Sequence, residues 1–352
     1  MRPFRKWHLL CLFFPVILLA ACSDDSGPYS ENPNDWEWVH LHPSSSPSAR
    51  LGHAMVYAIG PFIFGGEGQY ANQILGDTWE WDGRRWVEYR PDPSPPARTG
   101  HAMAYDEDRQ QVVLFGGTGS LAQDGSPSGL LSDTWIWDGS NWINKTPQYS
   151  VMAARWLHGM AYDPARKKIV LFGGQQSWQA QLNDTWEWDG TQWIQVPPPQ
   201  GYAPPSERFG HAMAHDHVRN QVTLFGGYAG KYPSESSDIL WWTGLEWGAQ
   251  WIGLMTSHPE ARGLHAMAAD SDRNRIVLFG GSHSDMGDFG DTWIWNGSDW
   301  IEWRGQGVAP SARYKHAMAY NWATEEVFLF GGRIGNTVAN DTWVYRRIGS
   351  SY

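Results

Sequence analysis

One block of text returns six times along this chain, and a sequence built that way folds as a stack or ring of like units. Its clearest copy is PARTGHAMAYDEDRQQVVLFGG at 96–117, followed after a loop by DTWIWDGSNW at 133–142. A histidine recurs at His53, His101, His158, His211, His265 and His316, with an arginine just before it at Arg50, Arg98, Arg155, Arg208, Arg262 and Arg313. Glycine pairs follow at 65/66, 116/117, 173/174, 226/227, 280/281 and 331/332. An aspartate comes next, at Asp77, Asp133, Asp184, Asp238, Asp291 and Asp341, and five of the six open the tripeptide Asp-Thr-Trp. The period of about 50 residues suits a propeller or a solenoid, and because it fills nearly all of the 352 residues we expect one repeat domain rather than two.

Each repeat reads as four strands, a to d. Strand a is His-Ala-Met-Ala-Tyr, whose alternation puts His101, Met103 and Tyr105 on one face and Ala102 and Ala104 on the other. Large residues then meet small ones across neighbouring units. Strand b is the Val-Val-Leu-Phe run, apolar on both faces as a strand buried between units must be, and it ends at the glycine pair. Strand c is Thr-Trp-Ile-Trp, and a tight Asp-Gly turn leads to strand d, which starts at Trp86, Trp142 or Trp193. The 24 Trp and 39 Gly, with only 18% charged residues, fit short strands packed through aromatics and separated by tight turns.

The double glycine after the second strand and the spaced aromatics of the third and fourth resemble the Kelch repeat family over 36–345. The resemblance implies an all-β fold, a six-bladed Kelch-type β-propeller occupying 36–352, and says little about activity. The fourth blade departs most, with Asp238-Ile239-Leu240 where the others have Asp-Thr-Trp. The last repeat stops after strand c, while Asn34-Asp35-Trp36-Glu37-Trp38 resembles the strand-d text around Trp300. An N-terminal strand is therefore expected to complete the last blade and remove an exposed edge.

Ahead of the repeats, 1–21 holds Arg2, Arg5 and Lys6 and then a short apolar run, the layout of an export signal. Leu19-Ala20-Ala21-Cys22 resembles the lipobox of bacterial lipoproteins, which implies cleavage before Cys22 and acylation there. The polar stretch 22–35 then reads as a tether. The resemblance implies lipid anchoring in the cell envelope, and Ser23 after the cysteine favours the outer membrane. Loss of the three leader basic residues takes the net charge from −11 to −14, which argues against nucleic acid as a partner. The only other cysteine is Cys11, in the leader, so the domain has no thiol for a disulfide, a thiolate metal site or a nucleophile.

Loop lengths point to a working face. Strands alternate in direction, so ab and cd turns share one rim and bc and da connections the other. From the strand-c tryptophan position to that of strand d is 7 residues in every complete copy, and from the strand-a tyrosine position to the glycine pair is 11 in five blades and 8 in the first. The bc loops, in contrast, hold 10, 15, 9, 10, 9 and 8 residues and share no composition. Variation confined to one rim marks a binding face. Its candidate contacts are Tyr70, Trp178, Tyr228, Tyr232, His283 and Phe289, together with the six arginines that begin strand a on the same rim. The arginines have two readings: a cationic collar for an anionic ligand, or partners of the six aspartates at the start of strand c. The repeated histidines read as blade-building residues rather than a metal ring. His211 with His215 and His217, and His283 with Asp285 and Asp288, lack a second convincing ligand set, so neither a metal nor another cofactor is expected.

No Gly-x-Ser-x-Gly elbow, phosphate-binding loop or His-Glu-x-x-His helix occurs. Copper radical oxidation of the kind found on some Kelch propellers needs a cysteine bonded to tyrosine, which this domain cannot supply. Two functions remain open. One is a cell-envelope binding module that presents the bc/da rim to a protein or glycan. The other is a carbohydrate-active enzyme resembling the bacterial sialic acid mutarotases, for which a positioned acid/base beside an arginine suffices.

Overall fold

Six large antiparallel sheets follow one another along the chain. The computed structural model describes residues 35–350 except 71, 149–151, 178, 231–233, 251–254, 256 and 306. In the second blade strand a is Ala102–Asp106, b is Gln111–Phe115, c is Thr134–Trp137 and d is Trp142–Asn144. Their ladders pair Met103 with Leu114, Val113 with Ile136 and Trp137 with Trp142. Inner strands of neighbouring blades lie side by side around a central channel. No α-helix occurs among the described residues.

Alternation along strand a sets the packing between blades. Met103, Val112 and Leu114 of blade 2 share a core with Val56, Phe62 and Phe64 of blade 1, while Ala104, Val113 and Phe115 on the other face share one with Met160 and Trp186 of blade 3. The small alanine face of each blade thus receives the large face of the next.

A second device ties outer strands together. The indole N–H that opens strand d donates to the strand-c threonine of the preceding blade: Trp142 to Thr78, Trp193 to Thr134 and Trp86 to Thr342, at 3.0, 3.1 and 3.0 Å. Blade 4 breaks the series because Ile239 stands where the others have threonine, and the Trp300 indole nitrogen of blade 5 is left buried without an acceptor. The departure visible in the text of blade 4 therefore has a structural cost one blade further on.

Ring closure is visible in the backbone. The residue before each repeated histidine donates its N–H to the equivalent carbonyl of the previous blade: Gly52 to Lys315, Gly100 to Gly52, Leu157 to Gly100, Gly210 to Leu157, Leu264 to Gly210 and Lys315 to Leu264, all at 2.7–2.8 Å. The chain of bonds returns to its start. A second circuit joins the second glycine of each pair to the arginine carbonyl of the next blade, as in Gly117 to Arg155 at 2.8 Å. This is why the pair must be glycine. Gly116 has φ +67° and a Cβ there would lie 2.7 Å from the Arg155 carbonyl oxygen, while one on Gly117 would lie 2.9 Å from that of Thr99.

The sixth sheet runs in the order Trp36–Leu41, Thr342–Arg347, Glu326–Phe330, Ala317–Asn321. The N-terminal strand is its outer member, as the repeat text implied, paired from Trp36↔Arg347 to Leu41↔Thr342.

Candidate functional site

The arginines resolve first, and the collar reading is corrected. All six are buried, and each guanidinium is engaged by the chain itself. Arg98 donates from Nε to the Pro96 carbonyl, from Nη1 to the Gly116 carbonyl and Asp133, and from Nη2 to Asp133 at 2.6 Å. Arg50, Arg155, Arg262 and Arg313 repeat this bidentate clamp on Asp77, Asp184, Asp291 and Asp341. Arg208 holds Asp238 through one oxygen only. With its donors spent on carboxylate and backbone, the arginine set staples the start of strand a to the glycine pair and to strand c, and presents no charge to a ligand.

The aspartates are tuned by this clamp. Burial by itself pushes the carboxyls of Asp77, Asp133, Asp184, Asp291 and Asp341 up, but the arginine hydrogen bonds and charge, with a further bond from the neighbouring indole, hold each below the usual carboxylate range. In blade 4 Leu240 replaces that tryptophan, and the Asp238 side chain is 51% exposed against 18–25% for the other five.

Above the clamps, the bc loops rise as small hairpins. Gln175–Ser177 pairs with Ala180–Gln181, Tyr228–Ala229 with Ser234–Glu235, Ser282–His283 with Gly287–Asp288, and Arg333–Ile334 with Thr337–Val338. In blade 1 strands b and c simply continue, and blade 2 carries the longest loop. Tyr70 is 72% exposed at the tip of the first. Three other rim residues singled out by sequence have work within the chain. Tyr228 is half-buried and stacked on Phe209 at 5.1 Å, with burial raising its hydroxyl to about 12. His283 Nδ1 accepts the backbone N–H of Asp285 and so shapes its own hairpin. Phe289 lies under the Arg262 guanidinium at 4.0 Å and passes hydrogen bonds from Arg313 to Gly281. Trp178 and Tyr232 lie outside the described residues, as does Cys22.

Sequence reasoning missed two features of this rim. Met286, 60% exposed, stands at the tip of the blade 5 hairpin beside His283 and Asp285, the residues of that loop weighed from the sequence. Lys315 occupies the hydrogen-bonded ring at the channel mouth, and its Nζ lies 5.7 Å from the centre of the Trp156 ring on the opposite blade. Burial lowers its pKa, Glu67 raises it and Arg333 lowers it. A signal was present: that position is glycine in three repeats, leucine in two and lysine in one. No group of three metal-ligating His, Cys, Asp or Glu side chains occurs among the described residues. The repeated histidines are buried with pKa values lowered by burial, and His101 packs edge-on against Phe64 of the neighbouring blade at 5.6 Å.

The comparisons agree with this architecture. The model for the KLHDC2/KLHL20/DRC7 Kelch-repeats domain matches 217–348. Dynein regulatory complex subunit 7 of Chlamydomonas reinhardtii is 32% identical over 129 residues, which are 36% of this chain and only 11% of that protein's length. Among solved structures, that of YjhT aligns with a TM-score of 0.60 at 12% identity, covering 85% of this chain and 95% of that one. The antiparallel sheets around a channel and the likeness to YjhT make the fold an all-β propeller, and the matched span 217–348 carries Kelch repeats.

Proposed function

We propose that this propeller is a cell-envelope binding module, held to a membrane by lipid on Cys22 and engaging a protein partner through the bc/da rim. The observation that carries the reading is the contrast between the two ends of the blades. The backbone ring and the arginine clamps repeat in every blade, whereas the hairpins standing on them differ in length and sequence. Tyr70 and Met286 are exposed at their tips, the kind of side chain that anchors a partner.

Tyr70→Ala combined with Met286→Ala should weaken partner binding by about 1–3 kcal/mol while leaving the melting temperature unchanged. The measurement is titration of a crosslink-identified partner against wild type and the double variant; unchanged affinity would remove the rim from the interface. The anchor is tested separately. Cys22→Ala should move the protein from the membrane to the soluble fraction, since each buried methylene of an acyl chain contributes about 0.8 kcal/mol. Retention in the membrane would refute it.

A carbohydrate-active reading has one observation in its favour. Glu67 pairs with Leu51 and Arg333 with Tyr314, the neighbours of the ring residues Gly52 and Lys315, so a carboxylate and two cationic residues gather at the mouth. Turnover of anomeric sugar acids that disappears in Glu67→Gln would establish that reading over the binding module; a wild-type protein without turnover would end it.

A further inference from the structure

The opposite end of the channel has a different chemistry. Strand a carries Met55, Met103, Met160, Met213, Met267 and Met318 around the channel wall, and beyond this belt a cavity of about 220 Å³ opens on the ab side. Tyr57, Tyr105, Tyr162 and Tyr320 form its collar, with Trp322 and Glu107 at the lip. Trp322 is half-exposed and meets Tyr57 edge-on at 5.3 Å. The Tyr162 and Tyr320 hydroxyls donate to Asp108 and Asp272, which fixes both rings in the collar; Lys167, paired with Asp108, and Arg273, which donates to the Tyr320 hydroxyl, do not line the cavity. The lining contains no lysine, arginine, asparagine or glutamine, and Glu107 is its one carboxylate. His215 and His217 also line it, with pKa values lowered chiefly by burial, so they add no positive charge at neutral pH.

This rim is also where the repeat loses its symmetry in one place. The ab turn of blade 1 is three residues shorter than the rest, and beside it lies a second cavity of about 420 Å³ that shares Tyr57, Tyr105 and Trp322 with the first. Ile59, Val112 and Trp137 give that groove an apolar wall.

We propose that the ab mouth binds an organic cation with a quaternary ammonium head, seated in the tyrosine collar beside Glu107, with an apolar substituent running into the groove of blade 1. The lining decides among ligand classes. An anion would meet Glu107 and no cation in the lining, and a sugar would find neither the amides nor the guanidinium groups that read its hydroxyls. A metal ion would find no ligand set. Aromatic faces, thioethers and a carboxylate are what a large, weakly hydrated cation requires.

Choline and its neutral isostere 3,3-dimethylbutan-1-ol are the probes, with hexyltrimethylammonium for the groove, titrated by calorimetry on the propeller as it exists. Choline should bind saturably, the alcohol at least about tenfold more weakly, and the hexyl compound more tightly than choline. Trp322→Ala and Glu107→Gln, both at the lip and away from the core, should each weaken choline binding by about tenfold with the melting temperature unchanged. Tyr70→Ala, on the other rim, should not alter it, which separates this site from the partner face. Equal binding of the alcohol, absence of saturable choline binding in the millimolar range, or indifference to both lip substitutions would overturn the proposal.

Discussion

Asp133→Ala is expected to destabilise the propeller by about 3–5 kcal/mol, because it strands the buried Arg98 guanidinium without its countercharge. Arg98 is fully buried and loses two short charge-assisted bonds, while the Trp135 indole loses the acceptor it reaches at 2.7 Å. The fourth blade supplies an internal control. Asp238 is half-exposed, receives one bond from Arg208 at 2.9 Å and has no indole partner, and Ser206 Oγ also accepts from that guanidinium. Asp238→Ala should therefore cost about 1–2 kcal/mol. Chemical denaturation at neutral pH measures both, and equal losses would show that the clamps are not what the geometry implies. The same pairs set the acid limit. In Asp77, Asp133, Asp184, Asp291 and Asp341 the folded pKa lies below that of the unfolded chain, which is near 3.9. Their contribution is fully present above about pH 4 and is lost as pH falls through the lower folded values. Stability should drop in that acid range, and Asp133→Ala should show a shallower drop than wild type.

Why these clamps were only half legible is a matter of what a repeat reveals. The recurrence of Arg98 and Asp133 in every copy announced a constant role, and alternation along strand a told which side chains face the next blade. Both follow from periodicity, which geometry must obey. Nothing in the spacing tells whether a guanidinium turns inward to a carboxylate some 30 residues on or outward to solvent; the arginine became a clamp because the Gly116 carbonyl and Asp133 converge on it. Rim residues were ambiguous for the complementary reason. Tyr228, His283 and Phe289 sit in loops of unique text, where an aromatic can equally well be an exposed anchor or a brace for its own hairpin. The short ab turn of blade 1 was in plain sight as 8 residues against 11, yet reading that rim as uniform hid the cavity it opens. On the same rim the Arg109 guanidinium crosses to the Asp189 carbonyl in the turn of the next blade, a contact that loop lengths do not show.

Deleting 30–43 should abolish the folded state, while deleting 23–29 should leave the melting temperature nearly unchanged. The longer deletion removes Trp36–Leu41, the outer strand of the blade that also contains the end of the ring, and exposes the edge of Thr342–Arg347 along its whole length. It also removes two buried indoles. Trp36 stacks on Tyr345 at 5.2 Å and lies against the Arg275 guanidinium at 3.8 Å, and its carbonyl accepts the Trp303 indole N–H at 2.9 Å. Trp38 donates to Thr292 of blade 5 at 2.9 Å, the same indole-to-threonine bond that joins the other blades. Losing one buried tryptophan costs about 3–5 kcal/mol, so losing two approaches the whole stability of a typical domain, about 5–15 kcal/mol. The effect must spread around the ring, because the two backbone circuits pass through every blade and an opened last blade slackens both. Trp38→Ala is the graded form, with an expected loss of about 3–5 kcal/mol, and Trp38→Phe isolates the hydrogen bond at about 1 kcal/mol. If the 30–43 deletion melted like the 23–29 deletion, the N-terminal strand would be an ornament on a ring already closed by its inner strands alone.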